Sequence, residues 1–155
     1  MANFHSQDLR RGRYSQHGQY YLLTAVTSRR QTVFQDFTAA RICIHALRMQ
    51  HEKGTVRSLA FVVMPNHFHW LIELGQTDLG AVMKAVKGQS ARLINEHAGT
   101  SGTLWQTGYH DHGLRRDEDL VAAARYLVAN PLRAGLVESL WMYPHWDAVW
   151  LEGRE

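Results

Sequence analysis

Leu59-Ala60-Phe61-Val62-Val63-Met64-Pro65-Asn66-His67-Phe68-His69-Trp70-Leu71-Ile72-Glu73-Leu74 is the stretch that decides the fold. It is apolar and rich in β-branched and aromatic residues, and Pro65-Asn66 interrupts it, so it reads as two strands joined by a tight turn. Residues two apart in a strand share a face. His67 and His69 therefore project together, while Phe68, Trp70 and Ile72 project to the other side. Two imidazoles on one sheet face, anchored by hydrophobes behind, form a geometry that can hold a metal ion. They would equally suit the exposed face of an ordinary strand, since the chain carries 10 histidines in 155 residues.

Working outward, Tyr20 to Thr27 reads as a strand ended by Ser28-Arg29-Arg30-Gln31. Asp36 to about His51 reads as a helix with Phe37, Ala40, Ile44 and Leu47 on one face, closed by Gly54. Val56 to Met64 and His67 to Leu74 are the second and third strands. Thr77 or Asp78 caps a helix through about His97, with Leu79, Val82, Met83, Val86, Leu93 and Ile94 as its stripe. Leu104 to Leu114 is expected to be a fourth strand. Residues 117 to 130 form a further helix, acidic at its front and stopped by Pro131. The order βαββαβ plus a helix is that of an α+β, ferredoxin-like sandwich: two helices on one face of an antiparallel sheet, the other face open. His67 and His69 should lie on that open face, within reach of the C-terminal helix. Beyond Pro131, Leu132 to Leu140 reads as a short helix. Trp141, Tyr143, Trp146 and Trp150 are expected to pack the tail onto the domain.

The C-terminal helix carries a second clue. Its apolar stripe is Leu120, Val121, Ala124, Leu127 and Val128. Tyr126 lies on the far side of the helix from the centre of that stripe, and Asn130, four residues on, shares its face. A core tyrosine would stand with the leucines. Tyr126 is therefore either a surface residue near a helix end or a group presented for chemistry.

Composition narrows the setting. A chain of 155 residues with 45% hydrophobic content can bury one core and has no room for two ordinary domains. No apolar run is long enough to span a bilayer, and Met1-Ala2-Asn3-Phe4-His5 lacks the pattern of a signal peptide. Cys43 is the only cysteine, which excludes a disulfide framework and a cysteine-based zinc knuckle. A cytoplasmic protein is the simple expectation. The net charge is only +3, but its distribution is uneven. Arg10, Arg11, Arg13, Arg29 and Arg30 face Asp8 alone in residues 1 to 30. Lys84 and Lys87 share a helical face, with Arg92 nearby, and Arg115-Arg116 precede the Tyr126 helix. Tyr14, Tyr20, Tyr21, Trp105 and Tyr109 interleave with these cations. Cations for phosphates and flat rings for unpaired bases suit a single-strand binder, as they also suit a solvated basic surface over core aromatics.

The combination of His-hydrophobe-His on a strand with Tyr and Asn four apart on a helix resembles the HUH single-tyrosine transposases. Further blocks are similar to the REP-associated tyrosine transposases in order and spacing. They are Arg11-Gly12-Arg13-Tyr14-Ser15, Gly18 to Thr24, Met64 to His69, Leu104-Trp105-Gln106-Thr107-Gly108-Tyr109, and Tyr126 to Val137. The resemblance runs from residue 10 to about 145. It implies a single transposase domain over 1–155, with a DNA-binding arm at 1–17, a catalytic core at 18–140 and a Trp-rich tail at 141–155. It also implies Tyr126 as nucleophile and His67, His69 and Asn130 as ligands of a divalent Mg²⁺ or Mn²⁺ ion, and the charge distribution and the polar arm add Arg11, Arg13, Ser15, Arg29, Lys84 and Lys87 as expected DNA contacts. Many relatives carry glutamine where Asn130 stands. The implied partner is single-stranded or hairpin DNA, namely repetitive extragenic palindromes flanked by a guanine-containing tetranucleotide, engaged by a monomer.

Other functions fit parts of the pattern. A small metal hydrolase would take a third ligand from the second His-x-His, His110-Asp111-His112. A non-catalytic DNA- or RNA-binding module of the same fold would carry aromatics rather than histidines on its open face. A replication initiator or relaxase would share only the histidine pair.

Overall fold

The structure, a computed structural model, describes residues 18–115 and 120–149. Arg11, Arg13 and Ser15 of the expected arm, the acidic 117–119 segment and Trp150 lie outside the described residues. Five strands form one antiparallel sheet in the order β4-β1-β3-β2-β5. They are β1 (Tyr20–Val26), β2 (Val56–Met64), β3 (His67–Leu74), β4 (His110–Leu114) and β5 (Trp146–Ala148). The first four keep the ferredoxin-like order. The helices are α1 (Phe37–Glu52), α2 (Leu79–Ala98), α3 (Leu120–Val128) and the single-turn α4 (Asn130–Arg133). No helix among the described residues is long and apolar enough to cross a membrane.

Local chemistry sets the helix boundaries. Asp36 and Asp78 cap α1 and α2, each carboxylate accepting from the N–H three residues on, Ala39 and Ala81. α2 stops at Gly99, whose left-handed backbone (φ 70°, ψ 30°) turns the chain away. α1 and α2 bury Ala40, Cys43, Ile44, Leu47, Val82, Met83 and Val86 against Leu23, Phe68, Trp70 and Ile72 of the sheet. Phe37, expected on the buried face of α1, is 61% exposed. It occupies the first helical position, beyond the sheet, with Arg41 over its ring and His145 beside it.

The opposite sheet face is not fully open. α3 and the tail cover its β2 half, burying Leu59, Ala60, Val62, Met64 and Leu71 with Ala124, Leu127 and Val128. β2 and much of β3 are thus buried on both faces, which is why they read as nearly unbroken apolar runs. A β-bulge at Leu59 adjusts β2 to this double duty: Ser58 pairs with Ile72, but Ala60 pairs with Leu71. The extra residue reverses the phase of the strand. Ser58 thereby faces the helix-side core, where its Oγ accepts from Trp70 Nε1 at 2.9 Å.

Three expectations are corrected. The fourth strand is confined to His110–Leu114, because Gly108 (φ 81°) turns the chain between it and an isolated bridge from Trp105 to Thr27. Leu132 to Leu140 is not a helix: α4 ends at Arg133, Gly135 has positive φ (75°), and only a 3-10 turn at Leu140–Met142 follows. The tail is more than packing, since β5 extends the sheet beyond β2. Tyr143 and Trp146 attach it, through Tyr143 Oη to the Val63 carbonyl (2.5 Å) and Trp146 Nε1 to the Leu140 carbonyl (3.1 Å). Trp141, by contrast, is 77% exposed.

Two glycines give opposite predictions. A Cβ at Gly75 would stand 2.6 Å from the Gly54 carbonyl oxygen and 2.9 Å from that of Thr55, both backbone atoms. Gly75→Ala should lower the unfolding free energy by about 1–3 kcal/mol. Gly88 sits inside α2 with nothing within 4 Å of its missing Cβ. Gly88→Ala should raise stability by about 0.5–1 kcal/mol. Urea denaturation of both variants checks the pair, and a stable Gly75→Ala protein would contradict the close approach at the end of β3.

Candidate active site

β3 delivers the two histidines as its alternation requires. Phe68 and Trp70 are fully buried on the helix side, while His67 and His69 are half-buried on the other. Phe68 is fixed from behind by Trp105, edge-on at 5.5 Å, and Trp105 Nε1 donates to the buried Ser90 Oγ at 3.0 Å. The imidazoles stand 4.8 Å apart, nearly perpendicular. His67 Nδ1 is hydrogen-bonded to Asn66 Oδ1 at 2.7 Å, and His69 Nδ1 to Thr24 Oγ1 at 2.8 Å. Thr24 lies directly opposite His69 in the β1–β3 pairing. Each ring is thus oriented through Nδ1, leaving Nε2 for another partner, as hydrogen-bonded partners orient metal-binding histidines.

Electrostatics keeps both rings neutral. Burial and the nearby Arg30 lower His67. Burial, His67 and Arg133 hold His69 down at about 4. Neutral imidazole is the form that ligates a cation. Two such rings together with an amide oxygen suit a divalent ion such as Mg²⁺, Mn²⁺ or Zn²⁺. Among the described residues no group of three or more His, Cys, Asp or Glu side chains could hold a metal. A protein ligand set built on His67 and His69 therefore needs a side chain of another kind.

α3 presents Tyr126 outward, 68% exposed, on the side away from Ala124, Leu127 and Val128. Pro131 has no N–H to continue the helix, and the chain restarts as α4 with Asn130 at its first position. Asn130 is half-buried, and its side chain makes no hydrogen bond among the described residues. α3 packs on β2 and β3, and α4 reaches β2. The helical pair is therefore on the histidine side of the sheet. Arg133 stacks on the Tyr126 ring, its Cζ 3.7 Å from the ring centroid, a cation–π contact worth about 0.5–1 kcal/mol at an exposed site.

The expected DNA contacts separate. Arg29 is exposed in the turn after β1, where both Arg29 (φ 56°) and Arg30 (φ 52°) adopt left-handed backbone that is strained for arginine. That turn stands at the His67 end of β1, since Val26 pairs with His67. Lys84 and Lys87 ride on α2, across the sheet from the histidines. Lys87 Nζ donates to the carbonyls of Gln106 (2.8 Å) and Gly108 (2.6 Å), bracing the loop that carries Trp105. His110 points to the histidine face, in line with Thr24 and His69, but β1 lies between. Among the described residues His110 does not join His67 and His69 in a group of three that could hold a metal.

Thr24, Asn66, Arg30 and Arg133 join the site through the fold. Thr24 and Asn66 orient the histidines, and both arginines act on them electrostatically. Thr24 could be found only through strand register. Asn66 was visible as the neighbour of His67.

The fold and site together define a ferredoxin-like domain with a histidine pair beside a tyrosine-bearing helix. The model of the IS200-like transposase family matches residues 15–128, and the chain belongs to that family. It is 21% identical over 143 residues to a Haemophilus influenzae protein assigned as a REP-associated tyrosine transposase, covering 85% of this chain and 80% of that one. The fold is similar to a REP-associated tyrosine transposase solved bound to a REP hairpin, with TM-score 0.69, 23% identity, and 86% and 79% of the two chains covered. It is also similar to a Deinococcus radiodurans protein assigned as a transposase, with TM-score 0.52, 26% identity, and 72% and 88% covered.

The depressed His69 makes a pH prediction. The folded chain refuses a proton until about pH 4, while the unfolded chain accepts it near the ordinary 6.5. Stability should therefore fall as pH drops from about 6.5 toward 4, by up to about 1.4 kcal/mol per pH unit for that proton. Urea denaturation in chelator at pH 7, 6 and 5 should show a shallower slope for His69→Gln than for wild type. Equal slopes would remove His69 as the source.

Proposed function

We propose that this chain is a single-stranded DNA transposase that cuts and rejoins REP-type hairpins through a 5′-phosphotyrosine on Tyr126. The observation that carries this reading is the exposed Tyr126 on the histidine side of the sheet, stacked under Arg133, whose charge also acts on His69. Tyr126 Oη attacks the scissile phosphorus, the P–O3′ bond breaks, and the departing 3′ oxygen takes up a proton as the phenolic proton passes to water. The phosphodiester energy is kept in the new Oη–P bond, so a later 3′-OH can attack it and rejoin strands without ATP. His67, His69 and Asn130 are the side chains that would hold a divalent Mg²⁺ or Mn²⁺ ion, whose charge would stabilise the phosphorane-like transition state. The hairpin substrate is supported by the hairpin-bound relative of the same fold. The Arg29–Arg30 turn supplies cations for its phosphates, and Arg11, Arg13 and Ser15 are proposed as the contacts to the flanking tetranucleotide. A monomer acting in the cytoplasm is part of the same proposal.

A hydrolase built on the histidines is less well supported, because among the described residues neither His110 nor His112 joins the pair in a group of three that could hold a metal.

Incubation with a guanine-flanked hairpin and Mn²⁺ should give wild-type cleavage that Tyr126→Phe abolishes. His67→Ala, His69→Ala and EDTA should each abolish it too, with far smaller effects on binding of uncut hairpin. His110→Ala should keep substantial activity. Cleavage by Tyr126→Phe at the wild-type rate would overturn the nucleophile assignment, and full activity in EDTA would remove the metal.

The arm is tested separately. Arg11→Ala or Arg13→Ala should cost about 1–3 kcal/mol on the cognate hairpin and relax discrimination at one flanking guanine, as expected for a guanidinium reading O6 and N7. Titrations against cognate and guanine-substituted hairpins at two salt concentrations measure this. An equal loss on both DNAs would reduce the arm to phosphate neutralisation.

A further inference from the structure

Arg133 is a cation with an aromatic partner and no counter-ion among the described residues. The ion pairs there join Arg57 to Glu73, Arg92 to Glu96 and His97 to Asp36, and none involves Arg133. It is exposed at the end of α4, yet its guanidinium is held 3.7 Å over the Tyr126 ring. Residues seven apart in an unbroken helix share a face but stand about 10.5 Å apart along the axis. The break at Pro131 and the long arginine stem together close that gap. The guanidinium therefore sits beside the phenol that the proposed reaction uses, on the same side as the histidine pair.

A guanidinium stacked by one plane still has its N–H groups free at the edge. Those donors match the oxygens of a phosphodiester in geometry and charge. Stacking also limits the rotation of the Tyr126 ring. The other cation of α3 and α4, Arg125, precedes Tyr126 about 100° round the helix, and no contact among the described residues places its guanidinium on the Tyr126 ring.

We infer that Arg133 is a catalytic contact to the scissile phosphate, donating to a non-bridging oxygen while its stacked plane holds the Tyr126 ring aligned for attack. This rests on the phosphotyrosine reading. As Oη–P forms and P–O3′ breaks, negative charge grows on the non-bridging oxygens, and a fixed donor there stabilises the transition state more than the ground state. Arg133 should accordingly affect the rate of cleavage far more than the affinity for uncut DNA.

The test is single-turnover adduct formation by the full chain on a guanine-flanked hairpin with Mn²⁺. Arg133→Ala should slow the reaction by about 100-fold or more, the scale seen when one donor to a developing oxyanion is lost. Affinity for uncut hairpin should stay within about threefold, since one phosphate contact among many is removed. Arg133→Lys, which keeps the charge but loses the planar fork, should recover part of the rate. Low concentrations of free guanidinium should partly rescue Arg133→Ala and leave Tyr126→Phe inactive, a response a structural role would not produce. A methylphosphonate at the scissile position removes the charged oxygen, and there Arg133→Ala and wild type should react alike. An unimpaired Arg133→Ala on normal DNA, or a loss confined to affinity, would overturn the role of Arg133 alone. Absence of any adduct from the wild-type protein would overturn the Tyr126 reading and this role with it.

Discussion

The alternation of β3 is the constraint on which the site depends. Phe68 and Trp70 have no other place than the helix-side core, where both are fully buried. Trp105 meets Phe68 edge-on and is itself pinned by Ser90, and Ser58 holds the Trp70 indole. A slip of one residue would drive two imidazoles into that core and expose two of its largest side chains. The rigidity of the histidine pair is therefore generated on the far side of the sheet. The Lys87 ammonium joins this support by fixing the carbonyls of the loop behind Trp105.

On the near side the same sheet face is divided. The β2 half is covered by α3, and the rest leaves the histidines half-buried. Partial burial keeps the imidazoles neutral without sealing them from a substrate, and Arg30 and Arg133 press in the same direction. Cations around neutral ligands would be unfavourable company for a metal in an isolated protein. They make sense where a polyanion is to enter, because a phosphodiester is attracted by every one of these groups.

Much of this was legible in the sequence because it is local. The β3 alternation, the stripes of α1 and α2, the caps at Asp36 and Asp78, and the position of Tyr126 off the α3 stripe all follow from neighbours within a few residues. What depended on distant pairing was not legible. The bulge at Leu59 answers to Trp70, and the Thr24–His69 hydrogen bond exists only because β1 pairs with β3 in that register. β4 begins at His110 rather than Leu104, and the sequence signal for that is the glycine at 108, which takes a positive φ there. The short β5 is set by its pairing with β2 rather than by its own three residues. Phe37 belonged to the right helical face but stands at its first position, beyond the sheet. Arg133 meets Tyr126 because the helix breaks at Pro131, a break the sequence showed without showing where the chain would go.

On the proposed reading the tyrosine on α3, on the histidine side of the sheet, becomes covalently joined to DNA. Peptide mapping by mass spectrometry of the protein–DNA adduct trapped on a guanine-flanked hairpin with Mn²⁺ tests it most directly. A nucleotide 5′-phosphate should appear on the peptide containing Tyr126, with fragmentation assigning it to that side chain. A phosphate mapped to any other residue, such as Tyr109 or Tyr143, would contradict it.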